Sequence, residues 1–151
     1  MSIFGLFRAV GAGLFRFANA TTYDAGDSEQ VHLRKSTAIL SAILVIPAAI
    51  GWGVIYLVAD EAITSIIPFL YTPFTILNIV VYRVGGKYGF FEFFQLSLNL
   101  LLPLFLMLAL GGFVSSSGVV IWALVTPMGA IVYSSKRMSI FWFVVFVAAV
   151  V

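Results

Sequence analysis

Long apolar runs, each closed by a short polar or charged break, order most of this chain. Residues 37–59 carry no charge and end at Asp60-Glu61. Residues 62–82 stop at Arg83-Val84-Gly85-Gly86-Lys87, residues 88–110 at Gly111-Gly112, and residues 114–133 at Ser134-Ser135-Lys136-Arg137. An apolar helix needs about 20 residues to cross a hydrocarbon core of roughly 30 Å, and all four runs meet that length. A fifth run, 139–151, would reach only about 20 Å as a helix and reads as an incomplete span that continues past the chain. The expected fold is all-α: a polytopic transmembrane helix bundle with four complete spans and a truncated fifth, occupying residues 37–151.

Residues 1–20 break the pattern. Phe4, Phe7, Leu14 and Phe15 together with Arg8 and Arg16 point to a short amphipathic helix lying on the inner leaflet. Ala18-Asn19-Ala20 imitates a signal-peptide cleavage site, but there is no basic start and two arginines interrupt the apolar stretch, so a cleaved signal is the weaker reading. Residues 21–36 form a polar cytoplasmic linker and helix start. There Asp27 is the expected cap, with Gln30 three residues on as its reciprocal partner.

Composition excludes a soluble globular domain. Of 151 residues, 62% are hydrophobic and 9% are charged, and the mean hydropathy is +1.13. A soluble chain carries about 25% charged residues and still exposes roughly a third of its unfolded surface at this size. The absence of cysteine removes disulfides, thiolate metal sites and thiol nucleophiles. One histidine and six acids leave little material for a metal site or an acid–base pair, and no phosphate-binding loop, nucleophile elbow or zinc-protease helix is present. No catalytic, cofactor-binding or metal-binding residue is assigned in this chain. His32, in a polar helix start, reads as a solvated surface histidine.

Charge sets the expected orientation. The eight Lys and Arg residues fall before the first run (Arg8, Arg16, Arg34, Lys35), between the second and third (Arg83, Lys87), and between the fourth and fifth (Lys136, Arg137). The two remaining connections carry none. Such alternation follows the positive-inside rule and predicts a multi-pass membrane protein with a cytoplasmic amino terminus; the resemblance given below makes that membrane the bacterial plasma (inner) membrane. The pI near 9.1 is then a consequence of topology, so the lipid bilayer is the expected partner and no nucleic acid is needed. Trp52 and Tyr56 would form an outer aromatic belt, and Tyr82, Tyr88, Tyr133 and Trp142 an inner one.

Polar residues inside the spans need a partner or a task. Tyr71, Thr75, Asn78 and Tyr82 recur at helical spacing in the second run, and Glu92, Gln95 and Asn99, continued by Pro103, do so in the third. If the two runs form an antiparallel pair about the Gly85-Gly86 turn, Asn78 lies level with Glu92 or Gln95, and Tyr71 nearer Asn99. The stripes then serve as interhelical hydrogen-bond glue or as a sensing face. Glu92 has two readings: an interfacial carboxylate that reaches water or a nearby cation, or a proton- or ligand-sensing group in the bundle. Leu104 and Leu108 are expected to face lipid. Pro47, Pro68, Pro73, Pro103 and Pro127 put a proline in each of the first four runs, where it kinks the helix or acts as a hinge.

Several stretches share an order. Asp27-Ser28-Glu29 and Leu33-Arg34-Lys35 lead into the first run, and Gly51-Trp52-Gly53 with Tyr56-Leu57 lies near its end. Leu101-Leu102-Pro103 and Met107-Leu108-Ala109-Leu110-Gly111-Gly112-Phe113-Val114 close the third. Ser116, Ile121-Trp122-Ala123-Leu124 and Pro127-Met128-Gly129-Ala130 follow. From Asp27 onward this order resembles the amino-terminal six-helix membrane region of bacterial membrane-bound class III adenylate/guanylate cyclases. The resemblance implies a cytoplasmic linker helix and a catalytic domain that works as a dimer. The metal-binding carboxylates of such enzymes lie in that missing domain, so none carries over. The expected function is an anchoring, homodimerising and sensing domain whose ligand the sequence does not name. The alternatives are a small multi-span transporter or channel subunit, which would favour mid-membrane charges and internal repeats, and the membrane half of a sensor histidine kinase.

Overall fold

The computed structural model describes residues 3–22, 26–116 and 118–150. Ser117, Val151 and the side chains of Phe4 and Phe7 lie outside the described residues. Among the described residues every regular element is helical: α1 (Ile3–Thr22), α2 (Glu29–Val58), α3 (Ala62–Gly85), α4 (Tyr88–Ala109), a 3-10 helix (Val119–Leu124), α5 (Val125–Tyr133) and α6 (Lys136–Val150).

Three of these, α2, α3 and α4, are long and apolar enough to cross a membrane. The 30 residues of α2 reach about 45 Å, more than a hydrocarbon core requires. Its start is capped by Ser28, whose hydroxyl accepts from the Val31 amide at 3.4 Å. Asp27 is not the cap; its carboxylate pairs with Lys35 instead. An ion pair to a lysine nearly two turns into the helix competes with capping for the same carboxylate, and the shorter serine is better placed for the amide. The outward faces of these helices carry exposed apolar side chains such as Leu44, Leu57, Ile63, Leu77, Phe105 and Leu108. Leu104, expected on that face, is half-buried and packs against the core.

α2 and α3 pack closely because Gly53 has no side chain. A Cβ there would stand 2.7 Å from the Phe69 ring. Gly53→Leu is therefore expected to destabilise the bundle by about 1–3 kcal/mol through overpacking, measured by unfolding in mixed micelles. α3 ends where Gly86 takes a left-handed conformation (φ 64°) and its amide donates to the Tyr82 carbonyl at 2.8 Å. That two-residue break turns α4 back along α3.

The fourth apolar run, expected as a span over 114–133, is not one continuous α-helix. Gly111, Gly112 and Gly118 all have positive φ, and residues 113–116 lie in turns. Helix resumes only at Val119, and six 3-10 residues followed by nine α residues rise about 25 Å. Hydropathy cannot register such a break, because the turn residues are themselves apolar or small. Ser116 is buried, with its hydroxyl on the Phe113 carbonyl at 3.1 Å. The last helix begins at Lys136, three residues earlier than expected, with the Ser135 hydroxyl accepting from the Met138 amide at 3.4 Å.

The ends of the bundle differ in character. At one end Lys35 lies 6.0 Å from the Tyr88 ring centroid, and the Tyr88 hydroxyl donates to the Tyr133 carbonyl at 3.2 Å. This gathers the start of α2, the α3–α4 turn and the α5–α6 turn, and with them Arg34, Arg83, Lys87, Lys136 and Arg137, all exposed. At the other end Trp52 stacks on Tyr56 and meets the edge of Trp122 at 6.3 Å. The expected inner belt of aromatics is largely internal packing: Tyr82, Tyr133 and Trp142 are buried, and Trp142 lies 5.3 Å from Phe93. α1 docks on α2 through Ala18 and Thr22, whose hydroxyl meets that of Ser36 at 2.7 Å and the His32 ring at 3.4 Å. His32 is thus half-buried against α1 and not a freely solvated side chain.

Candidate functional site

The two polar stripes meet. Tyr71, Thr75 and Asn78 occupy one face of α3 and are buried, and Gln95 on α4 is 1% exposed between them. The Asn78 amide donates to the Phe91 carbonyl at 3.0 Å and to Gln95 Oε1 at 3.3 Å. Gln95 Nε2 in turn donates to the Tyr71 hydroxyl at 2.7 Å and to Thr75 Oγ1 at 3.4 Å. The Tyr71 hydroxyl, having accepted, donates to Asn99 Oδ1 at 3.2 Å. The side-chain bonds Asn78 to Gln95, Gln95 to Tyr71 and Tyr71 to Asn99 all donate in one direction, from Asn78 toward Asn99. Such buried networks are costly when half satisfied, so each member restrains the rotamer of the next. Tyr82, also on the stripe, is not in the ladder; its ring packs on Phe91 and Tyr88.

Asn99 ends the ladder at a hollow. A cavity of about 140 Å³ is walled by α2, α3, α4 and the 3-10 helix, with Ala49, Trp52, Tyr71, Pro103 and Trp122 among its lining. A second, of about 250 Å³, lies between α2 and α5 and includes Thr37, Ser41, Gly129 and Tyr133. Val45, Asn99 and Val125 line both. Pro103, lacking an amide hydrogen, cannot donate to the Asn99 backbone carbonyl, so α4 loses a helical bond at this level.

Glu92 stands apart from the ladder. It is 8% exposed, makes no salt bridge among the described residues, and accepts a hydrogen bond from the Ser134 hydroxyl. The α5–α6 turn folds over the start of α4 and brings Ser134 to the carboxylate. Periodicity within the span did not mark Ser134, which sits in the polar break after the fourth run. Thr126 was likewise missed. Its hydroxyl donates to the Leu96 carbonyl at 3.3 Å and ties α5 to α4 one turn from the ladder; a polar residue within an apolar run was the available signal. Among the described residues no group of three acidic, histidine or cysteine side chains could hold a metal ion.

The arrangement can hold two helices in register, orient one amide at a cavity, and change when that packing changes. Comparison with family models, with curated proteins and with solved structures gives no match.

Proposed function

We propose that this chain is the membrane-embedded anchoring and sensing region of a bacterial class III adenylate/guanylate cyclase, working as a homodimer and coupling a ligand or membrane state to a cytoplasmic catalytic domain. The observation that carries the reading is the polar ladder ending at a cavity, in a chain whose residue order from Asp27 resembles that region. The gathering of Arg34, Lys35, Arg83, Lys87, Lys136 and Arg137 at one end supports a plasma-membrane bundle with that end, and the amino terminus, in the cytoplasm. On this reading α2, α3 and α4 are complete spans, the 3-10 helix with α5 serves as a shorter fourth, and α6 begins a fifth.

The mechanism is mechanical. A ligand drives such a device only through different affinities for two helix packings. The ladder fixes α3 against α4, Thr126 and Glu92 fix α5 and its turn against α4, and the basic end carries any shift toward the cytosol. A transporter would favour charge at mid-membrane. The groups at the middle of this bundle are the uncharged Gln95, Asn99 and Tyr71, which favours the sensing reading.

The test joins the chain to the catalytic domain of a class III cyclase and measures cyclic-nucleotide output at equal protein level. Asn99→Leu is expected to change output about fivefold, the low end of allosteric coupling, while Leu108→Ala at the exposed face leaves it unchanged. Equal output from all three proteins would count against a sensing role and leave only an anchor.

A further inference from the structure

We propose that the two cavities flanking Asn99 form one binding site for an uncharged, largely aliphatic, lipid-phase molecule with a single carbonyl acceptor, recognised by the Asn99 side-chain amide. The inference rests on the membrane placement proposed above and adds the ligand class.

Four observations lead to it. The first is donor polarity. Because the Tyr71 hydroxyl is turned toward Asn99 Oδ1, the other half of that amide, Nδ2, is left as the ladder's last donor. It has no partner among the described residues, and it belongs to a residue lining both cavities. An amide donor without a partner in apolar surroundings is expensive, so an acceptor placed there gains more than it would in water.

The second is the absence of charge. Neither lining contains Asp, Glu, Lys, Arg or His, so a carboxylate or ammonium ligand would find no counter-ion. The body of the ligand must be apolar, since most of the wall is Val, Leu, Ala, Pro and Trp.

The third is space made by small residues. Ala48 and Ala49 on α2 and Gly129 on α5 stand where larger side chains would close the hollow. At Gly129 a Cβ would collide with the Tyr133 hydroxyl, so glycine is what lets that ring line the cavity. The upper chamber, about 140 Å³, is comparable with buried apolar cavities of about 150 Å³ that take up benzene. The second chamber extends it along the same helices.

The fourth is depth and access. Asn99 lies about 16 Å along α4 from Tyr88, near the middle of a core roughly 30 Å thick. The ester carbonyls of bulk phospholipid lie at the interface, so an acceptor at this depth belongs to a molecule dissolved in the core. Entry is lateral: Ala48 and Met128 are exposed on either side of the slit between α2 and α5, Met128 at 65%.

The test uses the whole chain in nanodiscs of ether-linked phospholipid, with 10-bromo-2-decanone as probe and 1-bromodecane as its acceptor-free counterpart. Bromine quenches the fluorescence of Trp52 and Trp122, which line the cavity, while Trp142 outside it supplies a baseline. The ketone is expected to quench saturably and to bind about fivefold more tightly than bromodecane, the difference one hydrogen bond makes. Asn99→Leu should erase that preference. Ala48→Phe, which fills the chamber and leaves the ladder untouched, should abolish saturable quenching. Purely linear quenching of the unaltered chain, or a ketone preference that survives in Asn99→Leu, would overturn the proposal. So would loss of ketone binding on changing to ester-linked phospholipid, because the acceptor would then be the bulk lipid's. The measurement needs no catalytic domain. Saturable binding without any change in the output of the fused cyclase would defeat the sensing function alone.

Discussion

Replacing Gln95 with leucine is expected to destabilise the bundle by about 2 kcal/mol, more than any other single change within the ladder. Gln95 is the only member bonded to three others: it accepts from Asn78 and donates to Tyr71 and Thr75. Interhelical hydrogen bonds in membranes average about 0.6 kcal/mol each, so three of them sum to roughly that figure. Ser97, half a turn away, bonds only to the Phe93 carbonyl of its own helix, and Ser97→Ala is the matched control with an expected effect near zero. Unfolding in mixed micelles of increasing denaturing detergent measures both. A Gln95→Leu variant within about 0.5 kcal/mol of the parent would mean that the ladder contributes no stability.

Ser134→Ala should cost about 2 kcal/mol or more, for a different reason. The Ser134 hydroxyl donates to the Glu92 carboxylate, and Glu92 is buried beneath the α5–α6 turn. A hydrogen bond to a charged group contributes about 1.5–3 kcal/mol, and removing its donor leaves the carboxylate desolvated. Removing the carboxylate instead should cost much less, since a well-packed apolar side chain often replaces a buried charge at little or no loss. Glu92→Leu is therefore expected to be milder than Ser134→Ala, and the double variant should recover most of the Ser134→Ala loss. The double-mutant cycle checks this directly. Additive losses in the double variant would show that the two side chains do not interact.

The apolar runs made α2, α3 and α4 legible, because a span's length and hydropathy are local properties. The facing stripes were legible too. Tyr71, Thr75 and Asn78 at helical spacing must share a face, and a short glycine turn to α4 leaves an antiparallel neighbour as the nearest place for that face to go. What escaped was set by distant partners or by backbone conformation. The segment after Gly112 reads as span because its residues are small or apolar, yet three glycines with positive φ bend it into turns. Glu92 reads as shallow by its distance from Lys87, but depth along one helix does not reveal what folds across it. Asp27 and Ser28 are both good caps, and only the placement of Lys35 decides between them. The cavities belong to the gap between α2 and α5, elements far apart in sequence, and no one-dimensional pattern marks a gap.

Single-cysteine labelling tests the central claim, a bundle crossing the membrane with its basic end inside. The chain has no native cysteine, so each introduced one reports alone. Lys87→Cys, in the exposed α3–α4 turn, and Ser115→Cys, in the exposed turn before the 3-10 helix, sit at opposite ends of the bundle. With a membrane-impermeant thiol reagent applied to intact cells, Ser115→Cys is expected to label at once and Lys87→Cys only after the membrane is permeabilised. Labelling of Lys87→Cys from outside with Ser115→Cys protected would contradict the orientation, and labelling of both from outside would contradict the crossing itself.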